Sequence, residues 1–277
     1  MPHLQINEEI KLFYEEYGSG DRYILSAQVG FYPKGMQQQM ANLGYHVYCI
    51  TLRGFAPSSY VTENYGKDWY NIFADDVKAF ADKMGIHRFI YMGASHGAGV
   101  GWHLMLRCQD RVTAFIAVVA GPHSLKEGTM SYRQMLEQGI IQSPPPFDPE
   151  IDHDPARVLR RNRRSAHISR QPAADPREQA IDYGRPLMNL GSEEALCEAL
   201  KTIQTPTLMI GGTEDPISTM ELMTRSASCL PHCKLVFYSN CGHNIDTDLI
   251  EEVSDEADRF IKTVEGNGKW YKTVEEE

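Results

Sequence analysis

The fold is decided by the stretch Gly93-Ala94-Ser95-His96-Gly97, in which a serine stands midway between two glycines. The apolar run 89–92 precedes it and predicts a buried parallel strand, and residues 98–106 follow with the apolar spacing of a helix. A chain that turns this abruptly from strand to helix strains the central residue, and it needs small residues two positions before and after it. The pattern therefore predicts a nucleophile elbow, a tight turn that presents Ser95.

Ser95 needs a general base, and that base needs a carboxylate that fixes its tautomer and stabilises its charged form. Downstream, the apolar run 207–210 opens into a turn that contains Asp215. The next predicted strand, 234–238, is followed by a loop that contains His243. We therefore predict a catalytic triad in which Ser95 is the nucleophile, His243 the base and Asp215 the acid that orients it.

Taken alone, Asp215 and His243 each have a commoner interpretation as structural residues. Asp215 precedes Pro216 and suits the start of a turn, and His243 suits a loop in which a backbone carbonyl satisfies the ring. Glu214 lies on the same short turn and is an alternative acid. The catalytic interpretation is favoured because serine, acid and histidine occur in the order of one particular hydrolase fold, each after a predicted strand.

With these residues the chain resembles the α/β-hydrolase superfamily over nearly its whole length. Residues 6–20 are similar to that family's N-terminal hairpin, and residues 43–59 are similar to its segment that runs through a strand into an Arg-Gly turn at Arg53. The resemblance implies the α/β-hydrolase fold, a mostly parallel twisted sheet flanked by helices with an inserted helical cap. It also implies hydrolysis without a metal or an organic cofactor.

A long interval between two predicted core strands indicates where the cap is inserted. Residues 124–200 become helical and arginine-rich and are interrupted by prolines. We expect residues 1–123 and 201–277 to form the core, and residues 124–200 to form a cap that covers the cleft and supplies most substrate contacts. The basic run of the cap forms either a patch for an anionic ligand or, as we favour, a solvated helix face with ion pairs. Its members are Arg157, Arg160, Arg161, Arg163, Arg164 and Arg170.

The loop that completes the oxyanion hole departs from the family pattern. The family usually has a His-Gly pair after its first parallel strand, whereas this chain reads Ala27-Gln28-Val29-Gly30. A tetrahedral oxyanion needs two preorganised donors, and we expect one of them to be the backbone N–H of His96. The second is predicted to be the backbone N–H of Val29 or Gly30. The side chain of Gln28 is an alternative donor that would contact the substrate.

Composition limits the partners and the location that we expect. The chain has 277 residues and a formal net charge of −10, which suits one large α/β domain and argues against general nucleic-acid binding. It shows no basic N-terminal segment followed by an apolar stretch, and no run of about 18 apolar residues. We therefore expect a cytoplasmic protein that acts on a small-molecule substrate, without nucleic-acid or membrane partners and with homodimerisation left open.

The six cysteines are scattered through the sequence. In a domain of this size we expect reduced thiols and not a disulfide framework. Cys229 and Cys233 lie close together, but no second ligand pair follows at the spacing of a zinc site, so no metal is predicted.

The predicted site favours a serine hydrolase that cleaves a carboxylic ester or a lactone through an acyl-enzyme. Two alternatives stay open, because the family that the chain resembles includes C–C bond hydrolases with the same triad and receptor-like members that bind a ligand with little turnover. The altered loop at Gln28 keeps the receptor alternative open. Dehalogenase and epoxide hydrolase activities are disfavoured, because relatives with those activities place Asp at the elbow, where this chain has Ser95.

Overall fold

The computed structural model describes residues 2–30, 32, 34–142, 154, 155, 158, 159, 162, 175–179 and 181–266. These described residues form one eight-stranded sheet. Its strands are β1 (His3–Gln5), β2 (Lys11–Tyr17), β3 (Tyr23–Gln28), β4 (His46–Thr51), β5 (Phe89–Ala94), β6 (Val112–Val118), β7 (Thr207–Gly212) and β8 (Cys233–Tyr238). Their order across the sheet is β1-β2-β4-β3-β5-β6-β7-β8.

The sheet is mostly parallel, as predicted. Strands β3 to β8 pair in parallel, whereas β1 pairs antiparallel with β2 and β2 pairs antiparallel with β4, which gives the expected N-terminal hairpin. The strand order reverses at β3, which lies between β4 and β5. In open α/β sheets such a reversal creates a crevice at the carboxyl ends of the strands, and ligands bind there.

Helices cover both faces of the sheet and divide the core into two layers. The helices are α1 (Gly35–Asn42), α2 (Trp69–Lys83), α3 (His96–Cys108), α4 (Tyr132–Glu137), α5 (Pro176–Gln179), α6 (Glu193–Lys201), α7 (Met220–Cys229), α8 (Ile245–Asp248) and α9 (Ile250–Glu265). One layer contains Met40 of α1 and Phe260 of α9, and the other contains Phe73 of α2 and Trp102 of α3. Because the central strands are buried on both faces, they are almost continuously apolar. Within the described part of the chain, no helix has the length and apolar character needed to cross a membrane.

The Arg-Gly turn after β4 has a structural role. The guanidinium of Arg53 makes a bidentate ion pair with Asp76 of α2, with Nε 2.9 Å from Oδ2 and Nη2 2.5 Å from Oδ1. The Asp76 side chain has 0% exposure, so its charge depends on this partner. Gly54 has a φ of 88°, and a Cβ atom there would lie 2.7 Å from Cδ1 of Ile181. Arg53 and Gly54 therefore hold the turn between α2 and the segment that contains Ile181.

Where the structure describes it, the interval between β6 and β7 consists of short helices joined by irregular segments. It contains α4, α5, a 3-10 turn at Met188–Leu190, and α6. Residues 143–153 and 163–174 lie outside the described residues, and so do all six of the cap arginines singled out above. The boundaries of the cap, 124 and 200, stay a prediction.

The expectation that all cysteines are reduced is wrong for one pair. Cys197 of α6 and Cys229 of α7 form a disulfide, with their Cα atoms 5.4 Å apart. The two residues are separated by 32 positions in the sequence, and they meet because α6 packs beside α7. Sequence spacing does not report such a pairing, since it depends on how two helices are placed side by side. Cys49, Cys108 and Cys233 are thiols.

Candidate active site

Ser95 lies on the turn between β5 and α3, as the elbow prediction requires. Its backbone is strained, with φ 51° and ψ −116°. A Cβ atom on Gly93 would lie 2.4 Å from the backbone carbonyl carbon of Gly97, and a Cβ atom on Gly97 would lie 2.5 Å from the carbonyl oxygen of Ala27. Both neighbours are backbone atoms that cannot move aside. The prediction that this turn needs its two glycines is confirmed.

The three predicted triad residues are joined by hydrogen bonds. Ser95 Oγ lies 2.9 Å from Nε2 of His243. On the other side of the ring, Nδ1 of His243 lies 2.8 Å from Oδ2 and 3.0 Å from Oδ1 of Asp215. This geometry allows His243 to accept the Ser95 proton at Nε2 while Asp215 keeps the other ring proton at Nδ1.

Asp215 is fixed by the turn that carries it. Its side chain has 0% exposure. Its Oδ1 accepts the backbone N–H groups of Ile217, at 2.8 Å, and of Ser218, at 3.0 Å. Glu214, the alternative acid on this turn, is exposed. The structure therefore brings Asp215, and not Glu214, to His243.

His96 lines the cleft beside Ser95. It is the first residue of α3, where an N–H group has no partner within the helix. Nδ1 of its ring lies 2.5 Å from the hydroxyl of Tyr70, and the ring meets Tyr183 edge to face at 5.0 Å between centroids. Desolvation lowers the pKa of His96 to about 4, so the imidazole is neutral at pH 7. The role predicted for the N–H of His96 stays a prediction, and sequence reasoning did not foresee the contact with Tyr70.

The side chain of Gln28, the alternative oxyanion donor, does not reach the cleft. Its side-chain Nε2 donates to the carbonyl oxygen of Ala94, at 3.0 Å, and its Oε1 accepts the backbone N–H of Val29, also at 3.0 Å. Val29 and Gly30 line the cleft described below, and Gln28 does not. The Gln28 amide thus ties the loop to the residue before Ser95. The N–H of Val29, one of the two predicted backbone donors, is occupied by its bond to Oε1 of Gln28.

A large cleft opens at the carboxyl ends of the parallel strands. Its volume is about 1390 Å³, and Ser95, His96 and His243 all line it. The lining residues that sequence reasoning missed include His123, Tyr183 and Arg185. His123 could have been found, because it follows β6 and the carboxyl ends of parallel strands meet at one edge. No sequence signal marked the other two, which lie in the interval between β6 and β7.

The cleft holds neutral rings beside a cation. The pKa of His123 is lowered to about 4 by desolvation, and the nearby guanidinium of Arg185 acts in the same direction. Desolvation also lowers the pKa of Arg185 from its ordinary value. Among the described residues, no group of three His, Cys, Asp or Glu side chains has an arrangement that could hold a metal ion.

Known proteins resemble this chain along most of its length. Epoxide hydrolase A of Mycobacterium tuberculosis is 27% identical over 274 residues, covering 82% of this chain and 84% of the relative. The bifunctional esterase/perhydrolase DCH of Acinetobacter calcoaceticus is 22% identical over 282 residues, covering 95% of this chain and all of the relative. The solved structure of Est816, an N-acyl homoserine lactone degrading enzyme, is 22% identical with a TM-score of 0.66, and the match covers 94% of this chain and 100% of that one.

A protein-family model matches most of the chain. Residues 25–249 match the model of the family Hydrolase_4, described as serine aminopeptidase, S33. The matched range runs from β3 through α8 and includes the elbow, the acid turn and the histidine loop. The chain therefore belongs to this S33 family of α/β hydrolases.

Proposed function

We propose that this protein is a serine hydrolase that cleaves a carboxylic ester or a lactone through an acyl-enzyme. One observation carries the proposal. Ser95 Oγ, the ring of His243 and the carboxylate of Asp215 form a continuous hydrogen-bonded chain, with steps of 2.9 Å and 2.8 Å, beside an open cleft. A nucleophile, a base within hydrogen-bond reach and a group that orients the base are the parts that acyl transfer requires.

Each triad residue has a definite task in this reaction. Ser95 Oγ attacks the acyl carbon while Nε2 of His243 takes its proton, and Asp215 stabilises the resulting imidazolium. His243 then gives that proton to the leaving alkoxide as its bond to the acyl carbon breaks. An ester releases a free alcohol, whereas the hydroxyl formed from a lactone stays joined to the acyl group on Ser95. A water molecule deprotonated by the same His243 nitrogen attacks the acyl-enzyme, and the acid is released as Ser95 recovers its proton.

The oxyanion of the tetrahedral intermediate needs two N–H donors. We assign the first to the backbone of His96, since that N–H lies at the helix start directly after the nucleophile. We assign the second to the backbone of Gly30, because the N–H of Val29 already donates to Gln28. Gly30 has a φ of 65°, a conformation that glycine adopts without strain.

The relatives and the elbow residue together favour acyl chemistry. One relative is named an epoxide hydrolase, and another is named an esterase. If Ser95 opened an epoxide, the product would be an alkyl ether of serine. That ether has no carbonyl carbon for water to attack, so turnover would stop after one event. Attack by Ser95 on an ester or a lactone instead gives an acyl-enzyme that water can cleave.

A fluorophosphonate probe tests the proposal, because it reacts with an activated serine whatever the natural substrate is. We expect intact-mass spectrometry to show a single adduct on the wild-type protein and none on Ser95→Ala. Ser131→Ala is the matched control, since Ser131 also lines the cleft and lies outside the triad, and it should keep the adduct. The absence of an adduct on folded wild-type protein, or its persistence in Ser95→Ala, would contradict the proposal.

A substrate panel then identifies the bond that is cleaved. It contains 4-nitrophenyl esters, lactones, vinylogous diketones for C–C bond cleavage, and amino-acid 4-nitroanilides, because the matching family is described as a serine aminopeptidase. We expect turnover of esters or lactones, which Ser95→Ala should abolish. Turnover of diketones alone would support a C–C hydrolase. Stabilisation by a ligand without product would support a binding protein.

A further inference from the structure

A half-buried guanidinium without a partner lies in the wall of the cleft. Nη1 of Arg185 is inaccessible to solvent and makes no hydrogen bond. Arg185 nevertheless lines the same cleft as Ser95 and His243. Within the described part of the chain it has no ion pair, and burial is the one influence that shifts its pKa. A desolvated charged donor that lacks an acceptor costs free energy, which a ligand oxygen at that position would recover.

The segment that carries Arg185 is anchored to the core. The backbone N–H of Leu187 donates to Nε2 of His103 at 3.0 Å, and Nδ1 of the same ring lies 2.8 Å from Oδ1 of Asn71. Burial lowers the pKa of His103 to about 3, so its ring stays neutral and Nε2 remains an acceptor at pH 7. Leu187 itself is fully packed, with 1% exposure. Arg185 therefore lies two residues before a backbone N–H that is hydrogen-bonded to a side chain of α3.

His123 stands near Arg185 on a second anchored segment. Arg225 of α7 pairs with Glu193 of α6 and donates to the carbonyl oxygen of Pro122. Glu193 in turn accepts the backbone N–H of Leu125. Both sides of His123 are thus fixed by one ion pair. His123 and Arg185 line the same cleft, and the charge of Arg185 helps to lower the pKa of His123.

The acidic residues of the cleft do not neutralise Arg185. Asp175 pairs with Arg177, with Oδ2 2.9 Å from Nη2. Glu178 accepts the backbone N–H of Ala56 at 2.6 Å. Asp182 and Glu137 also line the cleft and are exposed to solvent. Among the described residues, none of these four carboxylates forms an ion pair with Arg185, so its guanidinium stays available to an anion from solution.

We infer that Arg185 binds a carboxylate of the substrate, with the ring of His123 as a neighbouring N–H donor. The inference rests on the proposed function and narrows it. The preferred substrates are esters or lactones that carry a second, ionised carboxyl group away from the bond that is cleaved. A planar guanidinium fits a carboxylate through two parallel N–H···O bonds, which gives orientation as well as affinity. Arg185 is then the residue that determines specificity within the cleft.

Binding of glutarate tests the inference without requiring turnover. The protein is the full-length Ser95→Ala variant, and the readout is isothermal titration calorimetry with glutarate, with glutaramide as its uncharged counterpart. We expect glutarate to bind and glutaramide not to bind. Arg185→Gln should weaken glutarate binding by about 10- to 100-fold, the usual range for a lost hydrogen bond to a charged group. Arg185→Lys, which keeps the charge, should recover part of that affinity.

Two controls separate a binding role from a structural one. Arg107→Gln removes an exposed arginine that pairs with Asp75 on α2, so it changes the net charge equally and should leave glutarate affinity unchanged. Thermal unfolding of Arg185→Gln should occur at or above the temperature of its parent, since the side chain has no hydrogen bond to lose and its unpartnered charge is removed. The inference is overturned if glutarate does not bind, or if Arg185→Gln and Arg107→Gln have equal effects.

Ester hydrolysis by the enzyme with Ser95 intact provides a second, independent readout. 4-Nitrophenyl hydrogen glutarate and 4-nitrophenyl pentanoate have acyl chains of equal length and differ in charge. We expect Arg185→Gln to lower kcat/KM about 10- to 100-fold for the charged ester and to change it little for the uncharged one. If the wild type hydrolyses neither ester while Ser95→Ala binds glutarate through Arg185, the proposed function fails and the carboxylate site stands. If the wild type hydrolyses the uncharged ester while Ser95→Ala does not bind glutarate, the proposed function stands and the carboxylate site fails.

Discussion

Replacing Asp215 with asparagine is the sharpest test of the triad, because the structure defines what the new side chain must do. In the native site Oδ1 accepts two backbone N–H groups, and Oδ2 lies 2.8 Å from Nδ1 of His243. Asparagine satisfies the two N–H groups only if its own oxygen takes the position of Oδ1. Its NH₂ group then faces Nδ1, so the ring proton of His243 moves to Nε2.

A protonated Nε2 cannot accept the proton of Ser95, although every atom stays close to its native position. We therefore expect Asp215→Asn to lower kcat about 10⁴-fold, as the loss of the correct tautomer does in another serine hydrolase, and this corresponds to about 5.5 kcal/mol of transition-state stabilisation. The assay is hydrolysis of the best ester of the panel, supported by the rate of fluorophosphonate labelling. A native circular dichroism spectrum shows that the variant is folded.

Glu214→Gln is the matched control, since Glu214 lies on the same turn and is exposed. It removes one carboxylate charge beside Asp215 and should retain activity within about twofold, as surface substitutions usually do. If Asp215→Asn keeps more than about a tenth of the wild-type rate, or if Glu214→Gln loses as much as Asp215→Asn, the assignment of Asp215 is refuted.

Three further substitutions test the structure around the site. Gly97→Ala places a Cβ atom 2.5 Å from a backbone oxygen of β3 and should lower the free energy of unfolding in urea by about 1–3 kcal/mol. A stability equal to that of the wild type would contradict the close packing at the elbow. Gln28→Ala removes two hydrogen bonds of 3.0 Å and should lower the free energy of unfolding by about 1–3 kcal/mol in the same assay. An unchanged free energy of unfolding would contradict these two bonds. Desolvation raises the pKa of Asp246 to about 6, so the folded state holds an extra proton between about pH 4 and pH 6, and stability falls as pH rises through that window. Asp246→Asn should remove this decline and be more stable than the wild type by about 1–3 kcal/mol at pH 7.5 but not at pH 4, and an unchanged pH profile would contradict it.

The sequence by itself predicted the strand–turn–helix at Ser95, the parallel strands and the order of the triad. These features are local, because strand periodicity, two glycines and a residue after each strand end are all properties of short stretches of chain. The carboxyl ends of parallel strands then meet at one edge for any such sheet. For this reason residues as far apart as Ser95 and His243 could be assigned to one site before their contact was seen.

Only the tertiary structure decided which groups meet across elements that lie far apart in the chain. It chose Asp215 over Glu214, it paired Cys197 with Cys229, and it tied the amide of Gln28 to the elbow. It also placed Arg185 without a partner in the wall of the cleft. Each of these outcomes depends on the packing of one element against another and on the direction of single side chains. Sequence periodicity reports which face of an element is buried, but it does not report which polar group that face will meet.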